Sequence, residues 1–140
     1  MVKTILILSI SCVALFACSE DEFGSKNWYE GIYKNQNPIP LNGEIGYGFI
    51  EFKKNNYTFQ ILLNNLIAEG DKGTTAFSVN NLTLNKTIRY IKEGNIWLDL
   101  TSPIMTNYNY SRNGDTLIIN RPDNPLDLKN GIYIKTNQYE

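Results

Sequence analysis

Few residues of this chain are of the types that do chemistry, and their spacing excludes most of it. The 140 residues contain no His. That removes the commonest general base, the Ser-His and Cys-His nucleophile pairs and the commonest transition-metal ligand. Glu51, Glu69, Glu93 and Asp99 stand on or beside apolar segments. Two carboxylates can hydrolyse a glycosidic bond, but no pair stands out among these. Asp99 alternates with Leu98 and Leu100 and is expected to face solvent. Asp123-Asn124-Pro125-Leu126-Asp127-Leu128-Lys129-Asn130-Gly131 carries oxygen donors of the kind calcium takes. It lacks the spacing of a calcium loop and reads as a polar, proline-containing turn. Gly43, Gly46 and Gly48 open no helix, so they are no phosphate cradle. The reading is therefore of a non-catalytic chain with no catalytic, cofactor-binding or metal residues. What remains is aromatic. Trp97, Tyr108 and Tyr110 are the candidates for contact with a ligand or partner. Tyr108-Asn109-Tyr110 puts two phenols on one strand face, and Trp97 shares a face with Asp99. Aromatic rings beside Asn and Asp stack on sugars or anchor a protein; cross-strand packing in a sheet is the competing use.

The elements that must position these rings are strands. In Tyr57–Leu63, Tyr57, Phe59, Ile61 and Leu63 alternate with Thr58, Gln60 and Leu62, the period of a half-buried strand. Further strands are expected over Trp28–Tyr33, Ile45–Phe52, Thr74–Val79, Leu82–Leu84, Thr87–Ile91, Ile96–Leu100, Tyr108–Ser111, Thr116–Asn120 and Gly131–Lys135. Asn55-Asn56, Asn80-Asn81, Glu93-Gly94-Asn95 and Asn113-Gly114-Asp115 supply turns, because Asn and Gly tolerate positive φ. Residues 35–40 read as a loop on account of Pro38 and Pro40. Gly46 and Gly48 share one strand face and mark a bend or a close backbone approach. Leu66–Gly70 is the one hint of a helical turn. No stretch sustains a 3.6-residue apolar period. Short strands with turns every 8–12 residues point to an all-β fold, a single antiparallel up-and-down barrel or, alternatively, a β-sandwich.

The chain's start has its own pattern. Lys3 is followed by an apolar run from Ile5 to Phe16 and then by Leu15-Phe16-Ala17-Cys18. The run is too short to span a bilayer, which takes about 20 residues. It resembles the lipobox signal of bacterial lipoproteins. The resemblance implies that residues 1–17 are a signal peptide, that Cys18 is the lipid-attachment site, and that the protein is held in the cell envelope, at the outer membrane, on its periplasmic or surface face. Residues 18–27 form an acidic tether. Its run Ser19-Glu20-Asp21-Glu22 resembles the export signal of surface lipoproteins of the Bacteroidota, and reads equally as a solvated spacer. Residues 28–140 form one domain. With Cys12 removed and Cys18 acylated, that domain holds no disulfide and must rely on its core. Acidic and basic residues are interspersed, 14 against 13 in the whole chain, which argues against nucleic acid as a partner.

Trp28-Tyr29-Glu30-Gly31-Ile32-Tyr33, the hairpins Phe77–Leu84 and Tyr108–Ile119, and the closing Gly131-Ile132-Tyr133-Ile134-Lys135 are together similar to the small lipocalin-like domains of bacterial lipoproteins. The resemblance implies a single antiparallel barrel with an open mouth and a loose expectation of binding. The expected partners are thus the membrane through Cys18 and a small apolar ligand in the barrel. The alternative is a carbohydrate or protein partner met through exposed aromatics and loops.

Overall fold

A computed structural model describes residues 28–140. Cys18 and the tether lie outside the described residues, and so does the lipid-anchor reading that rests on them. The described chain is all β: β1 Gly31–Asn35, β2 Ile39–Leu41, β3 Glu44–Lys53, β4 Asn56–Leu63, β5 Leu66–Phe77, β6 Asn81–Ile91, β7 Ile96–Asn113, β8 Thr116–Asn120 and β9 Gly131–Thr136. Each pairs antiparallel with its neighbour in sequence from β3 to β9. β1 then pairs with β9 on one side and β3 on the other. Eight strands thus close into an up-and-down barrel, and β2 adds to the start of β3 as a ninth. Closure rules out the sandwich alternative.

The turns explain the order. Asn64 and Asn65 both hold positive φ, as do Asn42 and Gly43. That is the type I′ geometry whose twist matches the flanking strands. The period-2 alternation then aims one face of every strand inward. Tyr33, Ile50, Phe52, Tyr57, Phe59, Ile61, Leu82, Leu84, Tyr108, Tyr110, Leu117, Ile119 and Tyr133 form one buried cluster. Burying such a side chain contributes roughly 1.5–3 kcal/mol before the entropy of ordering it. An eight-stranded barrel is just wide enough to be filled in this way. Gly46 and Gly48 face inward too. A Cβ on Gly46 would lie 2.9 Å from Ile61 and Leu63 side-chain atoms, and one on Gly48 would lie 3.2 Å from Ile39. Their missing side chains make the space those neighbours fill, at the bend where β3 leaves β1 and takes up β2.

Several expectations need correction. The expected strands Leu82–Leu84 and Thr87–Ile91 are one strand, β6, and β1 starts at Gly31, after Trp28–Glu30. Ile39–Leu41 is a strand, although Pro38 and Pro40 flank and interrupt it. β2 pairs on one side only, so the missing N–H of a proline is tolerated. Leu66–Gly70 is the first part of β5 and not a helical turn, because the Asn64-Asn65 reversal sets Leu66 opposite Leu63. The two segments 96–100 and 108–111 belong to one strand, β7. Its pairing with β6 skips residues 100–103, so that Lys86 meets Ile104 while Ile88 meets Asp99.

The two ends of the barrel close differently. At one end, Trp28 and Tyr29 precede β1 and pack on Phe52, Phe77 and Tyr110, with Tyr29 stacked on Phe77 at 4.5 Å. Arg112 lies over the Trp28 ring at 4.6 Å. At the other end, the mouth, residues 121–130 cross between β8 and β9.

Candidate functional site

The mouth is built on a polar group that the barrel holds at the top of its apolar core. Asp71 points inward from β5 and is 5% exposed. Tyr57 donates its hydroxyl to Asp71 Oδ1 at 2.7 Å, and Lys129 donates Nζ–H to Asp71 Oδ2 at 2.6 Å. Lys86 Nζ stands 3.9 Å from the same oxygen. The Lys129 ammonium also lies 4.5 Å from the centre of the Phe59 ring, a cation–π contact that strengthens with desolvation.

Lys129 reaches this position because residues 121–130 are a run of tight turns. Asn124, Asp127 and Asn130 donate their N–H groups to the carbonyls of Arg121, Asn124 and Asp127 in succession. Asn130 Oδ1 accepts the Arg121 N–H at 2.7 Å, and Asn130 Nδ2 donates to the Asn124 carbonyl at 2.9 Å. Asx-type bonds of this kind are what Asn and Asp supply in turns. The Asp127 carboxylate accepts from Tyr108 Oη at 3.0 Å, from Arg121 at 3.2 Å and from the Lys129 N–H at 2.9 Å. Tyr133 donates its hydroxyl to the Lys129 carbonyl at 2.9 Å. Asp123, the remaining carboxylate of the stretch, pairs with Arg121 at 3.0 Å.

Burial, and then the adjacent Asp71 carboxylate, pushes the Tyr57 phenol far above the usual tyrosine range. Burial, and then Asp127, does the same to Tyr108, and burial does it to Tyr133. All three are therefore fixed as neutral donors. They hold carboxylates and a carbonyl in place; none is poised as a phenolate nucleophile or base.

Beside the turn stack the mouth remains open. A cleft of about 570 Å³ runs between residues 124–129 and the strands β5 and β6. Its walls include Lys86, Arg89, Lys92 and Lys129, the carboxylates of Glu69, Asp71, Glu93 and Asp127, and the apolar Phe59, Ile91, Leu126 and Leu128. Asp71 and Asp127 are matched within the mouth by Lys129 and Arg121. The β6–β7 hairpin adds an apolar inner face. Arg89 pairs across Leu98 and Ile91 across Ile96, on the inward side that Asp71 defines through its register with Arg89. Ile96, Leu98 and Leu126 are exposed there. A smaller cleft of about 350 Å³ lies on the other side of Leu126, against Pro38, Ile39, Pro40 and Pro125.

The residues singled out in the sequence do not form one site. Tyr108 and Tyr110 point into the barrel and are 3% and 9% exposed. Tyr108 belongs to the mouth network through Asp127. Tyr110 donates to the Ser78 carbonyl at the opposite end and packs on Trp28 and Phe77. Neither presents a ring to solvent. Trp97 is half-buried on the outer face, beside Tyr90, with the Lys72 ammonium 4.0 Å over its ring. It lies across Gly70, where a Cβ would come within 2.8 Å of the indole. Asp99 is exposed, as expected. Asp71, Lys129, Lys86 and Arg89 went unmarked. Asp71 and Lys129 are 58 residues apart, and no local pattern joins them. Asp71 itself lies in Glu69-Gly70-Asp71-Lys72-Gly73, between the segments expected as a helical turn and as a strand, so no local signal marks it.

No protein family, curated protein or solved structure that was compared matches the chain.

Proposed function

We propose that this chain is a lipid-anchored, non-catalytic binding protein of the bacterial cell envelope, and that it holds a small amphiphile at the barrel mouth. The observation that carries the ligand half is the 570 Å³ cleft. Its size falls in the range of small-molecule sites, about 300–1,000 Å³. The barrel interior below it is occupied by its own side chains, so the place for an apolar ligand moves from the lumen to the mouth. There Ile91, Leu126, Leu128 and the inner face of the β6–β7 hairpin suit an acyl chain. Arg89 and Lys92 suit an anionic head group, since the deep carboxylates Asp71 and Asp127 already have Lys129, Lys86 and Arg121 as partners. The lipobox residues ending at Cys18 support the anchor.

Two experiments test the two halves. Purified protein is titrated with dodecanoate and, separately, with a cationic amphiphile of the same chain length. Saturable binding of dodecanoate, weakened about tenfold by Arg89→Glu (roughly 1.4 kcal/mol), is expected. Equal binding of both amphiphiles, or no saturable binding, overturns the ligand reading. For the anchor, the Cys18→Ser protein is expected to leave the membrane fraction; persistence there after a salt wash overturns it.

A further inference from the structure

The cleft at the mouth exists because two hairpins part there. The β5–β6 ladder runs from Phe77 opposite Leu82 to Asp71 opposite Arg89 and stops. Beyond that point β5 pairs only with β4, as far as Leu66 opposite Leu63. β6 pairs only with β7, as far as Ile91 opposite Ile96. The gap between the two hairpins has one lip on β5 and the other on the β6–β7 turn.

Two kinds of charge line it. The deep ones are closed. Asp71 holds the Tyr57 hydroxyl on one carboxylate oxygen and Lys129 and Lys86 on the other, and Asp127 holds Arg121. Glu69, Arg89, Lys92 and Glu93 line the same cleft and are exposed. Among the described residues none of these four has an ion pair. Arg89 stands opposite Asp71 in the ladder, but that carboxylate is already taken.

The register places the open charges. Glu69 pairs with Ile61 and Asp71 with Phe59, with no shift between them, and Ile61 and Phe59 are both core residues. Glu69 is therefore on the inward face of β5, two residues nearer the rim than Asp71. Arg89 is on the inward face of β6. The two are diagonal neighbours, whose Cβ atoms lie about 7–8 Å apart in a regular ladder, and here the strands are parting. A carboxylate on one lip thus faces a guanidinium on the other, with Lys92 beside it. A ligand of one sign fits this poorly. An anion on Arg89 and Lys92 has Glu69 across the gap, and a cation on Glu69 has Arg89. Such like-charge juxtapositions select against a partner. A head group with both signs meets an opposite charge on each lip.

We propose that the occupant of the cleft is a zwitterionic amphiphile, with its anion on Arg89 and Lys92, its ammonium on Glu69, and its chain along Ile91 and Leu126. The proposal rests on the reading of the mouth as an amphiphile site and narrows the head group from an anion to an anion joined to an ammonium.

The test titrates the purified protein with two dodecyl phosphodiesters, each below its micelle concentration. Dodecyl methyl phosphate carries the anion alone, and dodecyl phosphoethanolamine carries the same anion with an ammonium. The second is expected to bind about fivefold more tightly, the yield of one ion pair at a partly exposed site. Glu69→Gln should remove that advantage and leave dodecyl methyl phosphate bound at least as tightly as before. Arg89→Glu should weaken both. Glu69 is exposed, so the circular dichroism spectrum of Glu69→Gln should be unchanged. Equal affinity of the unmodified protein for the two amphiphiles overturns the proposal, and so does an advantage that survives Glu69→Gln. In either case saturable binding of dodecyl methyl phosphate leaves the anionic reading of the mouth standing. If neither amphiphile binds saturably, that reading fails and this proposal fails with it.

Discussion

Asp71→Asn isolates the charge at the centre of the mouth. The substitution keeps the shape and leaves an oxygen for the Tyr57 hydroxyl, which donates at 2.7 Å. What it removes is the counter-charge of Lys129, at 2.6 Å, and of Lys86, at 3.9 Å. The Lys129 side chain is only 13% exposed, so its ammonium is left with the Phe59 ring and little water. Breaking a buried pair by removing one partner costs roughly 3–5 kcal/mol. Lys129 sits in a surface-crossing segment that can release it to solvent, which lowers the expected loss to about 2–3 kcal/mol. Urea denaturation reads this as a shift in midpoint with the slope unchanged. Lys129→Met removes the other charge while keeping the stem on Phe59. Combined with Asp71→Asn it should cost much less than the sum of the two, with a coupling energy of about 2 kcal/mol, since the double variant leaves only Lys86 without its counter-charge, and that side chain is 31% exposed. If Asp71→Asn lies within about 0.5 kcal/mol of the unmodified protein, or the two substitutions add, the pair behaves like an exposed one and the reasoning fails.

The tyrosines give a pH dependence with a definite sign. Tyr57, Tyr108 and Tyr133 are held protonated above their ordinary value of 10.0, so the unfolded chain releases these protons first. Their contribution is fully present below pH 10 and is lost as pH rises above it, by about 1.4 kcal/mol per pH unit for each tyrosine still protonated in the fold. Stability measured from pH 8 to 11 should fall in this way, and Tyr57→Phe should lessen the slope; a flat profile contradicts it. Gly73→Ala should destabilise by about 2–3 kcal/mol, because the added Cβ would overlap the Asn85 carbonyl where the register of β5 and β6 shifts. A thermal midpoint equal to that of the unmodified protein would show that the two strands are less tightly apposed.

The barrel was legible where chemistry is local. The alternation from Tyr57 to Leu63 appears as four inward side chains of β4, and Thr116–Asn120 is β8 as expected. Asn64-Asn65 makes its turn by backbone φ alone. Leu66–Gly70 misled because Leu, Ala and Glu favour helix, a weak preference that the ladder with β4 overrides. The extent of β7 was hidden by Thr101-Ser102-Pro103, which reads as a break and is a bulge between two paired stretches. Tyr108 and Tyr110 were correctly set on one face, but alternation does not say which face is inside; closure with β8 and β9 decides it. The mouth was not legible, because Asp71, Asp127 and Lys129 meet only once the barrel brings β5 beneath the turns of 121–130.

The central claim is that ligand is held at the mouth above a filled barrel. Amide chemical-shift mapping of the protein titrated with dodecanoate tests it most directly. The account predicts saturable shifts centred on residues 68–71, 86, 89–93, 124 and 126–129, which line the cleft, with Ile50, Leu82 and Leu117 in the core unmoved. Shifts centred on those core residues, or on the outer face around Trp97 with the mouth unchanged, would contradict it.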